Sequence, residues 1–185
     1  GTQMVAKGLD LPTVGVVGVI NADVQLHVPD FRSGERPFQL LVQVAGRAGR
    51  GEKPGRVVVQ TFSPEHYAIQ AAARHDYQGL YEREMAFRRT YSYPPLSRLI
   101  RLTYGGAGLH QSQQQAERLA RALRLAQERT GQPIEVLGPA PAYPPRVRGR
   151  YRWHILLRGT APASLLSAVP LPPGWTVDVD PVSLS

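Results

Sequence analysis

Two short apolar runs, and the helical pattern between them, constrain this chain most. Val14 to Ile20 is nearly all apolar (Val14, Val16, Val17, Val19 and Ile20, with Gly15 and Gly18), and Val57-Val58-Val59 forms a second such run. Short β-branched runs predict strands, and a strand apolar at successive positions is one buried on both faces, as in a parallel sheet. Between the runs, Phe38, Leu41, Val42 and Ala45 fall at i, i+3, i+4 and i+7. That stripe predicts a helix capped by Ser33 and running to about Ala45. Residues 21 to 33 form a polar connection containing Asp23, Asp30, Phe31 and Arg32. Strand, helix and strand in succession predict an α/β layer.

Ser63-Pro64-Glu65 reads as a helix start, with a capping serine, proline at the first helical position and an acid in the first turn. Helical pattern continues to about Arg89 and breaks near His75-Asp76, so Ala68, Ala71 and Ala72, then Leu80, Glu84 and Phe87, mark two helices in series. Tyr93-Pro94-Pro95 ends them and marks a domain boundary. Beyond it, Ser97 to Tyr104 alternates as a strand. Residues 110 to 130 form an amphipathic helix with Ala116, Leu119, Ala120, Leu123 and Ala126 on the buried stripe, closed by Gly131. Ile134 to Leu137 is a short strand, and residues 138 to 149 are a loop rich in proline and arginine. Arg150 to Arg158 is a strand, Ala163 to Val169 a short helix and Trp175 to Val179 a last strand. This β-α-β-β-α-β order predicts an α+β ferredoxin-like domain.

Charge narrows the partners. The net charge is +8 with a pI near 10.3, which favours a polyanion. Of the 22 basic residues only Lys7 and Lys53 are lysine; arginine suits phosphate forks and base stacking, although genome composition gives the same bias. With no cysteine, the chain forms no disulfide or thiolate metal site. No apolar run approaches the roughly 20 residues of a membrane span, and no signal peptide is visible, so a soluble cytoplasmic protein is expected. The chain opens at Gly1, inside what reads as a fold, and a piece of a larger protein is expected. No metal site is expected either. The histidines at 27, 66, 75, 110 and 154 have no ligand spacing, and Asp178 and Asp180 read as a solvated strand face.

Two stretches carry chemistry. In Gln43-Val44-Ala45-Gly46-Arg47-Ala48-Gly49-Arg50, two arginines each follow a glycine at the end of the predicted helix. There they suit the negative end of the helix dipole. Equally, a guanidinium pair fits phosphate oxygens, and the glycines let a ligand approach the backbone. In Pro144-Pro145-Arg146-Val147-Arg148-Gly149-Arg150-Tyr151-Arg152-Trp153-His154, Arg150, Arg152 and His154 share one strand face, with Tyr151, Trp153 and Ile155 on the other. This is either an exposed basic strand or a surface for phosphates or an acidic peptide.

The Q-x-x-G-R-x-G-R pattern resembles motif VI of superfamily 2 helicases. Gly1-Thr2-Gln3-Met4-Val5-Ala6-Lys7-Gly8-Leu9-Asp10-Leu11-Pro12 resembles their motif V. These motifs are joined by Asp30-Phe31-Arg32, Glu35-Arg36, Gln60-Thr61, Pro64-Glu65-His66, Tyr93-Pro94-Pro95, Val136-Leu137-Gly138-Pro139 and Asp178-Val179-Asp180-Pro181. Together they resemble the PriA family of primosomal replication-restart helicases over essentially the whole chain.

The resemblance implies a partial second RecA-like lobe over residues 1–75, a helical connector over 76–95 and the family's C-terminal domain over 96–185. It implies ATP with Mg²⁺ as cofactor, shared with a first lobe outside this chain, and zinc in the parent protein but not here. By the same implication Thr2 and Lys7 contact the translocated DNA strand, and Gly8 and Asp10 approach the nucleotide. Gln43 couples nucleotide state to lobe closure, while Arg47 and Arg50 reach the γ-phosphate, with Arg50 the arginine finger. Arg146, Arg148 and Arg152 then contact DNA. Arg150 and His154 bind the acidic C-terminal tail of single-stranded DNA-binding protein; the family commonly has glutamine where His154 stands. Implied partners are forked and single-stranded DNA, that tail, other primosome proteins and the replicative helicase loader, in a bacterial cytoplasm at the nucleoid. The implied activity is an ATP-dependent 3′–5′ helicase that recognises abandoned forks and restarts replication; this chain alone would be inactive. Two other readings stand beside it: a non-catalytic DNA-binding scaffold with a degenerate first lobe, and another superfamily 2 motor such as a branch-migration helicase.

Overall fold

The first apolar run pairs with the second. In the computed structural model, which describes residues 14–48 and 55–184, β1 (Val16–Val19) lies parallel to β2 (Arg56–Val59), with Val17 opposite Val57 and Val19 opposite Val59. The crossover carries a single helical turn, α1 (Asp23–Leu26), and then α2 (Glu35–Ala45). Two further helices follow, α3 (Tyr67–Ala73) and α4 (Tyr77–Thr90). Leu26, Phe38, Leu41, Ala68, Ile69, Ala71, Ala72 and Leu80 form the core, with Val19 and Val59 packed against it.

Three local expectations are corrected here. The strands are not buried on both faces: Val16 is 65% exposed, Val58 49% and Ile20 83%, while Val17 and Val19 are half-buried. The core lies on the side of Val19 and Val59, and among the described residues nothing encloses Val16 and Val58. Ser33 does not cap α2; Gly34 holds that position without a side-chain bond. Nor does Ser63 cap α3. Its carbonyl accepts from the His66 amide at 3.0 Å in a turn, and the His66 Nδ1 accepts the Ala68 N–H at 3.2 Å.

Gly34 stands where three segments meet. The Tyr67 hydroxyl donates to Glu84 Oε1 at 2.6 Å, and Glu84 is buried. A Cβ on Gly34 would collide with both groups, so glycine is required by close approach rather than by an unusual φ. A buried carboxylate beside the first turn of α2 also suits the positive end of that helix.

Contacts divide the chain into two units, Gly1–Phe87 and Arg88–Ser185, within the segment 76–95. In the second unit the order is β3 (Arg98–Gly106), α5 (Leu109–Thr130), β4 (Ile134–Val147), β5 (Arg150–Gly159), α6 (Pro162–Ser167) and β6 (Trp175–Val179). The sheet runs β4-β5-β3-β6 with every neighbour antiparallel. α5 buries Ser112, Ala116, Leu119, Ala120, Leu123 and Ala126 against Ile100, Leu102, Ile155 and Leu157. It ends at Gly131, whose φ of 62° lies in the left-handed region that glycine enters freely.

The stretch expected as a loop, 138–149, is strand. β4 continues to Val147 against β5, with register shifts between Leu137 and Ala140 and between Pro141 and Arg146. Prolines suggest a loop because they lack a ladder donor. An edge strand needs donors on one side only, so Pro139, Pro141, Pro144 and Pro145 are accommodated there. The whole is a mixed α/β structure. Gly34→Ala should destabilise the first unit by about 1–3 kcal/mol through overpacking, read as a lower denaturant midpoint for the chain. An unchanged midpoint would mean that Tyr67 and Glu84 move aside freely.

Candidate functional site

The chemistry-bearing end of α2 depends on how its other end is held. Arg32 Nη2 donates to Glu35 Oε1 at 2.6 Å and Nε donates to Oε2 at 3.1 Å, a two-pronged pair. Asp30, whose side chain is fully buried, accepts the Arg32 amide at 3.0 Å and pairs with Arg36 at 3.2 Å. Arg32 and Arg36 thus clamp the chain as it enters the helix. Asp23, also buried, accepts the Phe62 amide at 3.0 Å and the Thr61 hydroxyl at 2.8 Å, which ties α1 to the segment after β2. The Phe62 amide is the main reason that the Asp23 carboxyl sits below its ordinary value.

At the far end, the helix tightens. Gly46 N–H donates to Val42 O at 3.0 Å, the last i to i−4 bond; Arg47 N–H to Val44 O at 3.0 Å and Ala48 N–H to Ala45 O at 3.1 Å then follow the i to i−3 pattern of a closing turn. Gln43 is exposed and Arg47 half-buried, one turn apart. Arg50 lies outside the described residues, as do Thr2, Lys7, Gly8 and Asp10. Of the residues singled out for nucleotide chemistry, the structure therefore brings together Gln43 and Arg47.

The second basic stretch is a β-ribbon. β4 and β5 meet at Arg148 (φ 48°) and Gly149 (φ 80°), a two-residue turn with both residues left-handed. That geometry matches the right-handed twist of a hairpin. Arg146 faces Tyr151 across the ladder and its guanidinium stands 5.1 Å from that ring's centre. Arg150 Nη2 donates to Gly105 O at 2.6 Å. Residues 143–150 are all exposed, whereas Arg152 and His154 are half-buried on the face they share with Arg150. His154 lies between Thr103 and Ala140, and its Nδ1 has no hydrogen-bond partner. Burial, then Arg101 and Arg152, holds its pKa below the usual histidine value.

The acidic residues near this sheet pair elsewhere. Asp178 accepts from Arg101 at 2.8 Å, while Asp180 pairs with Arg98 and Glu135 with Arg158. Asp178 and Asp180 keep their side chains 47% and 44% exposed, as a solvated face does, and each is ion-paired as well. Sequence spacing hints at the Arg32–Glu35 pair, three residues apart on a helix start. It gives no sign of Asp23–Thr61 or Tyr67–Glu84, whose partners are brought together only by the fold.

Residues 89–182 match the family described as the primosomal protein N C-terminal domain. The chain is 47% identical over 158 residues to a replication restart protein PriA of Bacillus subtilis, covering 85% of this chain and 19% of that protein. It is 41% identical over 194 residues to the protein of that name in Synechocystis, covering all of this chain and 23% of the relative. In Treponema pallidum the figures are 42% over 193 residues, all of this chain and 29% of the relative. The chain therefore spans less than a third of the length of each.

Two histidines make the fold sensitive to acid. His66 is held below its ordinary value by burial and by His27, and His154 by burial and its arginines. In each case the unfolded chain takes the proton first as pH falls. Stability contributed by the neutral rings is full above their ordinary value of about 6.5 and declines as pH drops through and below it. Denaturation of the chain between about pH 7.5 and 5.5 should show this decline, and His154→Gln with His66→Asn, which keeps a capping group, should flatten it. Equal slopes in parent and variant would remove the assignment.

Proposed function

The chain belongs to the PriA family of replication restart proteins, and from that premise we propose that it is the C-terminal portion of an ATP-dependent 3′–5′ DNA helicase that recognises abandoned replication forks and rebuilds the primosome on them. The first unit is read as part of a second RecA-like lobe and the second unit as a ferredoxin-like domain. The observation that carries the reading is the end of α2: an exposed Gln43 carboxamide and a half-buried Arg47 one turn on, in a glycine-punctuated run that continues to Arg50.

These groups fit ATP with Mg²⁺ as one side of a shared site. A guanidinium offers fixed donors to phosphate oxygens and no acceptor that would repel them. The nucleotide, when bound, supplies the phosphoryl group whose transfer releases the energy. The role of Arg47 and Arg50 is to stabilise charge that spreads over the phosphate oxygens as the bond breaks, while Gln43 couples nucleotide state to lobe closure. Gly8 and Asp10 approach the nucleotide from the same lobe, and Thr2 and Lys7 contact the translocated strand. Because one lobe supplies half of the site, the chain alone hydrolyses nothing.

In the second unit, Arg146, Arg148 and Arg152 contact DNA, while Arg150 and His154 receive the acidic tail of single-stranded DNA-binding protein. Other primosome proteins and the helicase loader complete the partners, in the bacterial cytoplasm at the nucleoid. Zinc belongs to the parent protein; this chain contributes no cysteine ligand.

Arg50→Ala in the full-length protein should lower DNA-stimulated ATP hydrolysis by about 10³ to 10⁵, the range for arginine fingers, with fork affinity retained. Unchanged turnover would favour a scaffold whose arginines serve only the helix end. Arg150→Ala should weaken binding of an acidic tail peptide in a calorimetric titration, and equal affinity would remove Arg150 from that site.

A further inference from the structure

The β4–β5 ribbon carries an arrangement of charge that a single flat partner does not satisfy. From Val136 to Val177 the sequence contains no aspartate or glutamate, and Arg146, Arg148, Arg150 and Arg152 alternate through its middle. None of the four takes part in an ion pair among the described residues. The alternation does not put them on one face. The turn and the register place Arg146 with Tyr151 on one side of the ribbon, Val147 with Arg150 on the other, and Arg148 at the tip. Arg152 follows Arg150 one step nearer the body of the sheet. Cations thus stand on both faces and at the tip of an exposed hairpin, whose turn, residues 147–150, extends past the last β3 pairing, Gly106 with Tyr151.

A single nucleic-acid strand lies along one face and stacks its bases on open aromatic rings. Here the Tyr151 ring, half-buried, already carries the Arg146 guanidinium, and the open ring of Tyr143 on β4 offers a single platform rather than a series for successive bases. A ribbon lying flat in the major groove likewise presents one face to the base edges. Charge on two faces and a tip suits insertion end-on between two phosphate walls. The minor groove is such a slot, roughly 6 Å wide, and too narrow for a ribbon's face but not for one side chain. Its walls concentrate negative potential where it is narrow, which draws arginine inward. The Arg148-Gly149 tip presents one long side chain and one glycine, and its two-residue turn holds that side chain ahead of the strands.

We propose that the β4–β5 ribbon is a duplex-reading element whose tip places Arg148 in the DNA minor groove, with Arg146 and Arg152, on its two faces, on the phosphates of the opposing walls. This rests on the reading of DNA as a partner and adds the form of DNA, the groove and the residue that enters it. Arg148 senses groove width, so it prefers narrow A·T tracts; Arg146 and Arg152 act on any sequence.

The test is fluorescence anisotropy of the full chain with labelled duplexes of about 20 base pairs, one with an A·T tract and one G·C-rich, with and without netropsin, which fills A·T minor grooves. The unsubstituted chain should prefer the A·T duplex by about tenfold and lose that preference when netropsin is bound. Arg148→Asn keeps a residue suited to the left-handed turn and should abolish both the preference and the netropsin effect. Arg146→Ala should weaken both duplexes alike and reduce the salt slope by about one. Duplex binding that ignores netropsin and Arg148→Asn would overturn the minor-groove arm while leaving DNA as the partner. Binding of an acidic peptide by the ribbon with no affinity for either duplex or a single strand would overturn the arm and the DNA reading together.

Discussion

Helices in both units reach their neighbours through small side chains. On α5, Ala116, Ala120 and Ala126 are fully buried over Ile100, Leu102, Ile155 and Leu157. On α3, Ala68, Ala71 and Ala72 play the same part against the core that α2 supplies. At Gly34 the approach is closest, since even a methyl group would strike Tyr67 and Glu84. Close approach lets bulky residues on the facing element fill the space without voids, and interiors tolerate little departure from that density. The position of α2, and of the sheet from which the ribbon extends, follows from these contacts.

A strongly basic chain must also decide which cations to neutralise. In the first unit Asp30 and Glu35 pair with Arg36 and Arg32 where the chain enters α2. In the second, Glu135, Asp178 and Asp180 meet Arg158, Arg101 and Arg98 near the body of the sheet. Several of these pairs are partly exposed and add little to stability individually. Their consequence is spatial. By occupying the acids within the fold they leave the ribbon, from Arg146 to Arg152, without an internal counter-charge among the described residues, and an external anion is the remaining way to supply one.

Much of the architecture was legible beforehand where periodicity is strong. The α5 stripe, the strand at Trp175–Val179, the break between α3 and α4 and the β-α-β-β-α-β order of the second unit could all be read from spacing. Spacing also put Arg150, Arg152 and His154 on one face, because a strand's side chains alternate whatever surrounds it. It misjudged β1, where an apolar run signalled two buried faces and only one is covered. It misjudged the caps at Ser33 and Ser63, because a capping residue is chosen by the path of the chain around it as much as by its own hydroxyl. It stopped β4 at Leu137, because proline is read as a breaker unless the strand is known to be an edge.

The sequence by itself determined the kinds of element, their order, the excess of arginine and the motif at the end of α2, all of which are properties of neighbours along the chain. Which carboxylate meets which arginine, why position 34 must be glycine, and that the proline-arginine stretch is one arm of a twisted ribbon with charge on both faces were decided by tertiary structure. These depend on groups far apart in sequence whose separation is fixed only when the layers close on one another. Local preference is a short-range energy, and a pairing such as Tyr67 with Glu84 or Asp23 with Thr61 exists only once that closure has brought its partners within reach.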